Sequence, residues 1–309
     1  MKESSLQIMP FLELLEKEVI EFKNVIEFGA LLEGRKEVIR LVLLPDDFFT
    51  LKEFFEHYFP AFSIKSSTFV MKDVFNTTME LDIGWAQFDR FQHRVPSSND
   101  QNGERVVFVG LERAVREAWC IEEEGCQDGR TAHRYGYPNC CGISYKQISK
   151  KNLWLDIFLG PSNKFSKFDL LANRFASIPS PWLTYHFDYF PCSVKCEKTL
   201  KICKLNREML KRSDLSEFVA LIDDHLSGVL ILFEDSVWYL HLHELSMGNW
   251  QFDQGKDPVV SGGKSSGLKF KGLRLESKSA SALINSNWWH TDTGKVGIYV
   301  FSNQSGSLS

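Results

Sequence analysis

The sequence predicts a mixed α+β fold: an N-terminal α/β unit, a central helical region that contains the cysteine motifs, and a C-terminal region of antiparallel strands. Three observations support this class. Helical and strand-like patterns alternate before about residue 96, and helical periodicity dominates the middle of the chain. After about residue 226 the apolar residues occur in short runs separated by turn residues. We therefore expect domains at 1–96, 104–226 and 227–302, followed by a disordered polar tail at 303–309.

The N-terminal region is predicted to contain a helix, a strand hairpin, a second helix and a further strand. Apolar residues recur at helical spacing over 10–22. Two apolar runs, 25–32 and 38–44, flank a turn of hairpin size and are predicted as strands. Pro45 starts a helix that Pro60 stops, and 62–71 is predicted to return as a strand.

The polar loop at 96–103 is the predicted domain boundary, because its Pro, Ser, Asn and Gly residues favour turns. In the central region we predict a strand at 105–109, a helix at 112–124, a strand at 182–190 and a helix at 192–210. Cys120 is predicted to pack as a small hydrophobic residue of the 112–124 helix. The C-terminal strands are predicted at 228–233, 236–243, 268–275 and 296–301, with the first two forming a hairpin.

Composition excludes several functional classes. The 309 residues are 43% apolar and 25% charged, with a net charge of −4, so the chain lacks the basic field of a nucleic-acid binder. Its apolar runs are far shorter than the roughly 20 residues that a membrane span needs. Acidic residues interrupt the N-terminal apolar stretch, which argues against a signal peptide. We therefore expect a cytoplasmic protein, in which seven cysteines favour metal binding or catalysis over disulfides.

Two short cysteine segments are predicted to form the two halves of one metal or cluster site. The first, Y-G-Y-P-N-C-C at 135–141, is rich in turn-forming residues and ends in Cys140 and Cys141. The second, P-C-S-V-K-C at 191–196, is predicted to open a helix, with Pro191 at the first helical position and Cys192 and Cys196 one turn apart. The positive end of a helix favours thiolates over thiols, as a metal ligand requires.

The number of ligands separates two kinds of centre. Cys203 would share the helix face of Cys192 but lie about 16 Å along the axis, so it is predicted to belong to the core. Cys140 or Cys141, together with Cys192 and Cys196, gives three thiolates, which would leave one iron of a 4Fe-4S cluster open for chemistry. All four thiolates on zinc would form a closed structural site.

The two segments resemble an uncharacterised prokaryotic family of unknown function. That family has a G-Y-P-x-C-C turn followed by a P-C-x-x-x-C helix start, and both motifs occur here in order, at 136–141 and 191–196. The resemblance covers mainly residues 130–205. It implies that Cys140, Cys141, Cys192 and Cys196 form a site. An aromatic residue and a histidine often precede the family's second motif, and His186 is the candidate here, although it lies farther from Cys192 than expected. The resemblance implies no substrate.

Two functional hypotheses follow, and the sequence favours the first, with a 4Fe-4S cluster, over the second. In the first, the chain is a metalloenzyme whose iron-sulfur cluster performs Lewis-acid or sulfur-transfer chemistry on a small molecule. Acid, base or anion-binding groups would then come from nearby residues, namely His133, Arg134, Tyr135 and His186. In the second, zinc holds together a non-catalytic module whose flanking domains bind a partner. A radical-SAM motif is excluded because Thr199 stands where C-x-x-x-C-x-x-C needs its third cysteine.

Overall fold

The computed structural model describes residues 8–71, 94–96, 102–124, 135–144, 165–172, 185, 189, 191–232, 237–246, 249–252, 259–261 and 297–302. Within these ranges the fold is α+β, as predicted. The elements before the cysteine segments are α1 (Met9–Glu16), α2 (Phe22–Leu32), β1 (Val38–Leu43), α3 (Pro45–Tyr58), β2 (Ser63–Ser66), β3 (Phe69–Met71), β4 (Arg94–Pro96), β5 (Arg105–Gly110) and α4 (Glu112–Glu123). Those that follow are β6 (Phe165–Asp169), α5 (Glu197–Arg212), α6 (Ser216–Leu226), β7 (Gly228–Leu232), β8 (Val237–Ser246), β9 (Asn249–Phe252), β10 (Val259–Ser261) and β11 (Gly297–Ser302).

The predicted strand at 25–32 is wrong, because this stretch lies within α2. The Asn24 side chain accepts a hydrogen bond from the Glu21 backbone N–H at 2.8 Å, which caps a new helix just after α1. Nearly every residue of α2 is buried, so its apolar run has no exposed face that would display a helical period. The helix predicted at 10–22 ends at Glu16, shortly before Glu18 with its positive φ of 57°, and α2 begins at Phe22.

A three-stranded antiparallel sheet follows, in the order β1-β5-β2. β1, α3, β5 and α4 form close to the predicted positions. The predicted strand at 62–71 is instead divided into β2 and β3 at Ser67, whose hydroxyl donates to the Phe69 carbonyl at 2.6 Å. The domain limits stay a prediction, yet β5, which follows the proposed boundary loop, lies between two strands that precede it.

The helices from the middle of the chain pack on the N-terminal helices. α2 approaches α5 closely at Gly29, where a Cβ atom would overlap the Met209 side chain. Arg35 donates a hydrogen bond to the Asn206 side chain at 2.7 Å, and Asn206 in turn donates to the Tyr185 carbonyl at 3.0 Å. A continuous buried cluster therefore runs from α1, α2 and α3 to α5 and α6.

The C-terminal strands form a mainly antiparallel sheet in the order β10-β8-β7-β11-β6, with β9 paired to β8. The predicted hairpin of β7 and β8 and the strand β11 are present. The β11–β6 pairing is parallel. The strand predicted at 268–275 and the tail at 303–309 lie outside the described residues, as does most of the strand predicted at 182–190. No helix of the described part of the chain is both long and apolar enough to span a membrane.

Candidate metal centre

The first cysteine segment is a tight turn followed directly by helical backbone. Gly136 has a positive φ of +72°, a conformation that favours glycine, and a Cβ there would lie 3.2 Å from Lys36. Residues 139–144 are helical, and the N–H groups of Cys141 and Gly142 donate to the Pro138 carbonyl at 2.9 and 3.1 Å. Cys140 and Cys141 therefore lie in a first helical turn.

The second cysteine segment is a turn that precedes its helix, which corrects the prediction of a helix from Cys192. α5 begins at Glu197 and has Cys196 at its N-cap. The Cys196 N–H donates to the Ser193 carbonyl at 3.0 Å, and the Lys195 N–H donates to the Ser193 hydroxyl at 3.1 Å. Such local bonds compete with helix formation. In this segment Cys196 therefore lies at the helix N-terminus, whereas Cys192 precedes the helix and does not share a face with it.

The two cysteine segments bring four cysteine sulfurs together. The Sγ atoms of Cys140, Cys141, Cys192 and Cys196 all lie within 4.8 Å of one another. Cys196 Sγ is 3.8 Å from Cys140 Sγ and 3.7 Å from Cys141 Sγ, and the two adjacent cysteines are 4.0 Å apart. The prediction that these segments meet within metal-sharing distance is confirmed.

The sulfur separations fit the coordination of a single ion. Four thiolates at about 2.3 Å from one zinc ion, arranged tetrahedrally, are separated by about 3.8 Å. Thiolates that bind different irons of a cluster are farther apart, because the irons occupy separate corners. Cys141 and Cys196 are buried, whereas Cys140 and Cys192 are half-buried. The site therefore has an inner pair of ligands and an outer pair.

The pKa values of the inner pair, Cys141 and Cys196, are shifted in opposite directions. A hydrogen bond from Cys141, aided by the Thr199 hydroxyl and backbone N–H, lowers the pKa of Cys196 to about 4. The same Cys141–Cys196 hydrogen bond, together with burial, raises the pKa of Cys141 far above its usual value. Burial raises the pKa of Cys192 to about 12. The pKa of Cys196 is therefore lower than those of Cys141 and Cys192, and a cation that binds these two thiols displaces their protons.

Hydrogen-bond donors from the protein converge on Cys141. The backbone N–H of Cys192 donates to its sulfur at 3.4 Å, and the Thr199 hydroxyl lies 3.5 Å from the same atom. Tyr189 donates its phenol hydrogen to the Thr199 oxygen at 3.1 Å. Both Thr199 and Tyr189 are buried. The pKa of Tyr189 is raised, chiefly by this burial, so the phenol stays a donor.

An aromatic wall separates the sulfurs from a buried ion pair. The ring of Tyr137 packs against that of Tyr189, with centroids 4.7 Å apart. On the Tyr137 ring lies the Lys36 ammonium, 5.2 Å from the centroid. Lys36 also donates to Glu27 at 2.5 Å, and both residues are buried. The Lys36 ammonium at this wall is therefore already paired with a carboxylate.

A groove opens on the far side of Tyr137. It has a volume of about 1050 Å³ and lies between the α2–β1 turn at 34–37, Arg116 and Cys120 of α4, and the turn at Gly136. Cys120 is exposed in this groove, which corrects the prediction that it packs in the core. Cys203, in contrast, is fully buried, as predicted.

Among the predicted catalytic residues, the structure describes Tyr135. Tyr135 is buried in a second apolar cluster with Val38, Phe108 and Ala118, and its ring is 5.7 Å from that of Tyr137. His133, Arg134 and His186 lie outside the described residues. Their catalytic roles stay predictions. The residues that contact the sulfurs or adjoin them, Thr199, Tyr189 and Tyr137, were not singled out as site residues from the sequence.

Comparison with known proteins does not place the chain in a family. No family model matches it, and no match was found among curated proteins or solved structures. The resemblance to the prokaryotic family with the G-Y-P-x-C-C and P-C-x-x-x-C motifs therefore stays a prediction. Functional conclusions rest on the four cysteines, which are positioned to hold a metal ion.

Proposed function

We propose that the chain binds one Zn²⁺ ion through Cys140, Cys141, Cys192 and Cys196, and that this ion is structural. The observation that supports this proposal is the sulfur spacing of 3.7 to 4.0 Å among three of the cysteines. It matches the edge of a tetrahedron of about 3.8 Å around a single ion. Four protein thiolates leave no open coordination position, which is typical of zinc sites that stabilise a fold.

The ion would fasten two segments that are distant in sequence. Cys140 and Cys196 are 56 residues apart along the chain. Neither segment is a long regular element at its cysteines: one is a turn with the first helical residues, and the other is a turn before α5. Because metal binding and folding are coupled in such sites, the ion would stabilise the position of both segments against α5.

A second candidate is an iron-sulfur enzyme with an open iron site, acting on a small molecule by Lewis-acid or sulfur-transfer chemistry. Two observations favour it. Cys140 and Cys192 are only half-buried, so one side of the centre is accessible. The groove of about 1050 Å³ lies beside Tyr137, next to the wall of the centre. In this case three of the cysteines would hold the cluster, and His133, Arg134, Tyr135 and His186 would serve the substrate.

Metal content and absorbance of anaerobically purified protein separate the two candidates. For the structural site we expect about one zinc per chain, negligible iron and no visible absorbance. Apo-protein titrated with Co²⁺ should develop the strong visible bands of a tetrahedral thiolate site, with saturation at one equivalent. The Cys120→Ser variant is the matched control, since its thiol lies outside the centre. Several irons per chain with broad visible absorbance would overturn the zinc proposal and support the cluster.

A further inference from the structure

A chain of hydrogen-bonding groups runs from the Tyr189 phenol through the Thr199 hydroxyl to the Cys141 sulfur. Tyr189 donates to the Thr199 oxygen at 3.1 Å, so that oxygen is already an acceptor. A threonine hydroxyl has one hydrogen, which is then directed elsewhere. The Cys141 sulfur lies 3.5 Å from this oxygen and is within reach of that hydrogen. A metal-bound Cys141 thiolate carries no hydrogen and can therefore only accept this bond.

A backbone group is a second hydrogen-bond donor to the Cys141 sulfur. The Cys192 backbone N–H also points at Cys141 Sγ, at 3.4 Å, and a backbone N–H can only donate. Cys141 is 1% exposed, so water contributes little to its solvation. Four thiolates with one divalent ion have an excess of negative charge, which a buried site must stabilise with hydrogen-bond donors. The nearby ammonium of Lys36 is paired with Glu27.

We propose that Thr199 is a positioning residue of the metal centre. Its hydroxyl, oriented by Tyr189, donates a hydrogen bond to the metal-bound thiolate of Cys141. This inference rests on the proposed metal site and assigns roles to two residues that are not ligands. The bond holds the inner sulfur in place and stabilises the negative charge of the bound thiolate, so metal affinity increases. Hydrogen-bonding partners of metal ligands commonly contribute about 10–100-fold to affinity.

Thr199→Val tests this role with little change of shape. Apo-protein of the wild type and the variant is titrated with Co²⁺, and bound Co²⁺ is then displaced with Zn²⁺ in competition with a chelator. We expect Thr199→Val to bind about 10–100-fold more weakly. The sulfur-to-Co²⁺ charge-transfer band should move to longer wavelength, because a sulfur without the hydrogen bond loses an electron more easily. Thr199→Ser, which keeps the hydroxyl, should restore both properties.

Tyr189→Phe provides a second route if Thr199→Val does not fold. It keeps Thr199 but removes the phenol that orients the hydroxyl, so a smaller change in the same direction is expected. Circular dichroism of the metal-loaded variants controls for folding. Unchanged affinity and an unchanged band in folded Thr199→Val would overturn the role of Thr199 while leaving the metal site intact. Failure of the wild type to bind Co²⁺ or Zn²⁺ would overturn the metal site, and this inference with it.

Discussion

The phenylalanine-rich N-terminal core and the cysteine centre belong to one buried cluster but are stabilised differently. In the core, the Phe11 ring stacks on Phe28 at 4.6 Å and on Phe59 at 5.2 Å, and these contacts require no ligand. In the centre, four thiols crowd together, and the burial that stabilises a hydrocarbon side chain opposes the thiolate form. The first region can form by apolar packing alone, whereas the second, in the proposed zinc site, depends on a cation.

The largest effect is expected from loss of an inner ligand. Cys196→Ser should reduce Zn²⁺ affinity by more than about 100-fold, since loss of an outer hydrogen-bonding partner already costs about 10–100-fold. Cys196 is buried, and the hydrogen bond from Cys141 lowers its pKa. Metal analysis after dialysis measures the effect. Stoichiometric zinc in the dialysed variant would mean that Cys196 is not a ligand.

A core substitution should lower the free energy of unfolding and leave metal binding unchanged. Phe28→Ala removes a fully buried ring that contacts Phe11 and Phe55, and should lower the free energy of unfolding by about 3–5 kcal/mol. Zinc stoichiometry of the folded protein should not change. Urea unfolding and metal analysis of the same sample test both statements. Loss of zinc from folded Phe28→Ala would show that core and centre cannot be treated separately.

Loss of the Lys36–Glu27 ion pair between the two regions should lower the free energy of unfolding by a similar or slightly smaller amount. Lys36→Met leaves the buried Glu27 carboxylate without its 2.5 Å partner and should destabilise the fold by about 3–5 kcal/mol. Adding Glu27→Gln removes the uncompensated charge and should recover much of this loss. Urea unfolding of the single and double variants measures the difference. Equal stability of the two variants would contradict the role assigned to the pair.

The smallest effect is expected at Cys120. This exposed thiol lines the groove and is not among the four clustered sulfurs. Cys120→Ser should change the free energy of unfolding by no more than about 0.5 kcal/mol and leave zinc binding unaltered. Thermal melting with and without chelator provides the measurement. A chelator-sensitive change specific to this variant would extend the centre to include α4.

Local signals in the sequence determined several elements. Pro45 and the acidic residues after it start α3, and strand-like composition at 38–44 and 105–109 forms β1 and β5. The local signals gave the wrong element for α2. A helix buried on nearly all sides has no polar face, so the spacing of its apolar residues does not distinguish it from a buried strand. The local signals also failed at Cys192, because the local bonds to Ser193 delay the start of α5.

The sequence by itself determined which cysteines form the centre, since two adjacent thiols and a nearby pair are unusual in a core. Only the tertiary structure decided how close they lie and which groups support them. The sulfur separation depends on how the turn at 135–141 packs against Cys196, which follows Cys140 by 56 positions and Cys141 by 55. That packing supports our proposal of a single ion. It also brings the Thr199 hydroxyl and the Tyr189 phenol to Cys141, which chain spacing cannot reveal because hydrogen-bond geometry is set by three-dimensional packing.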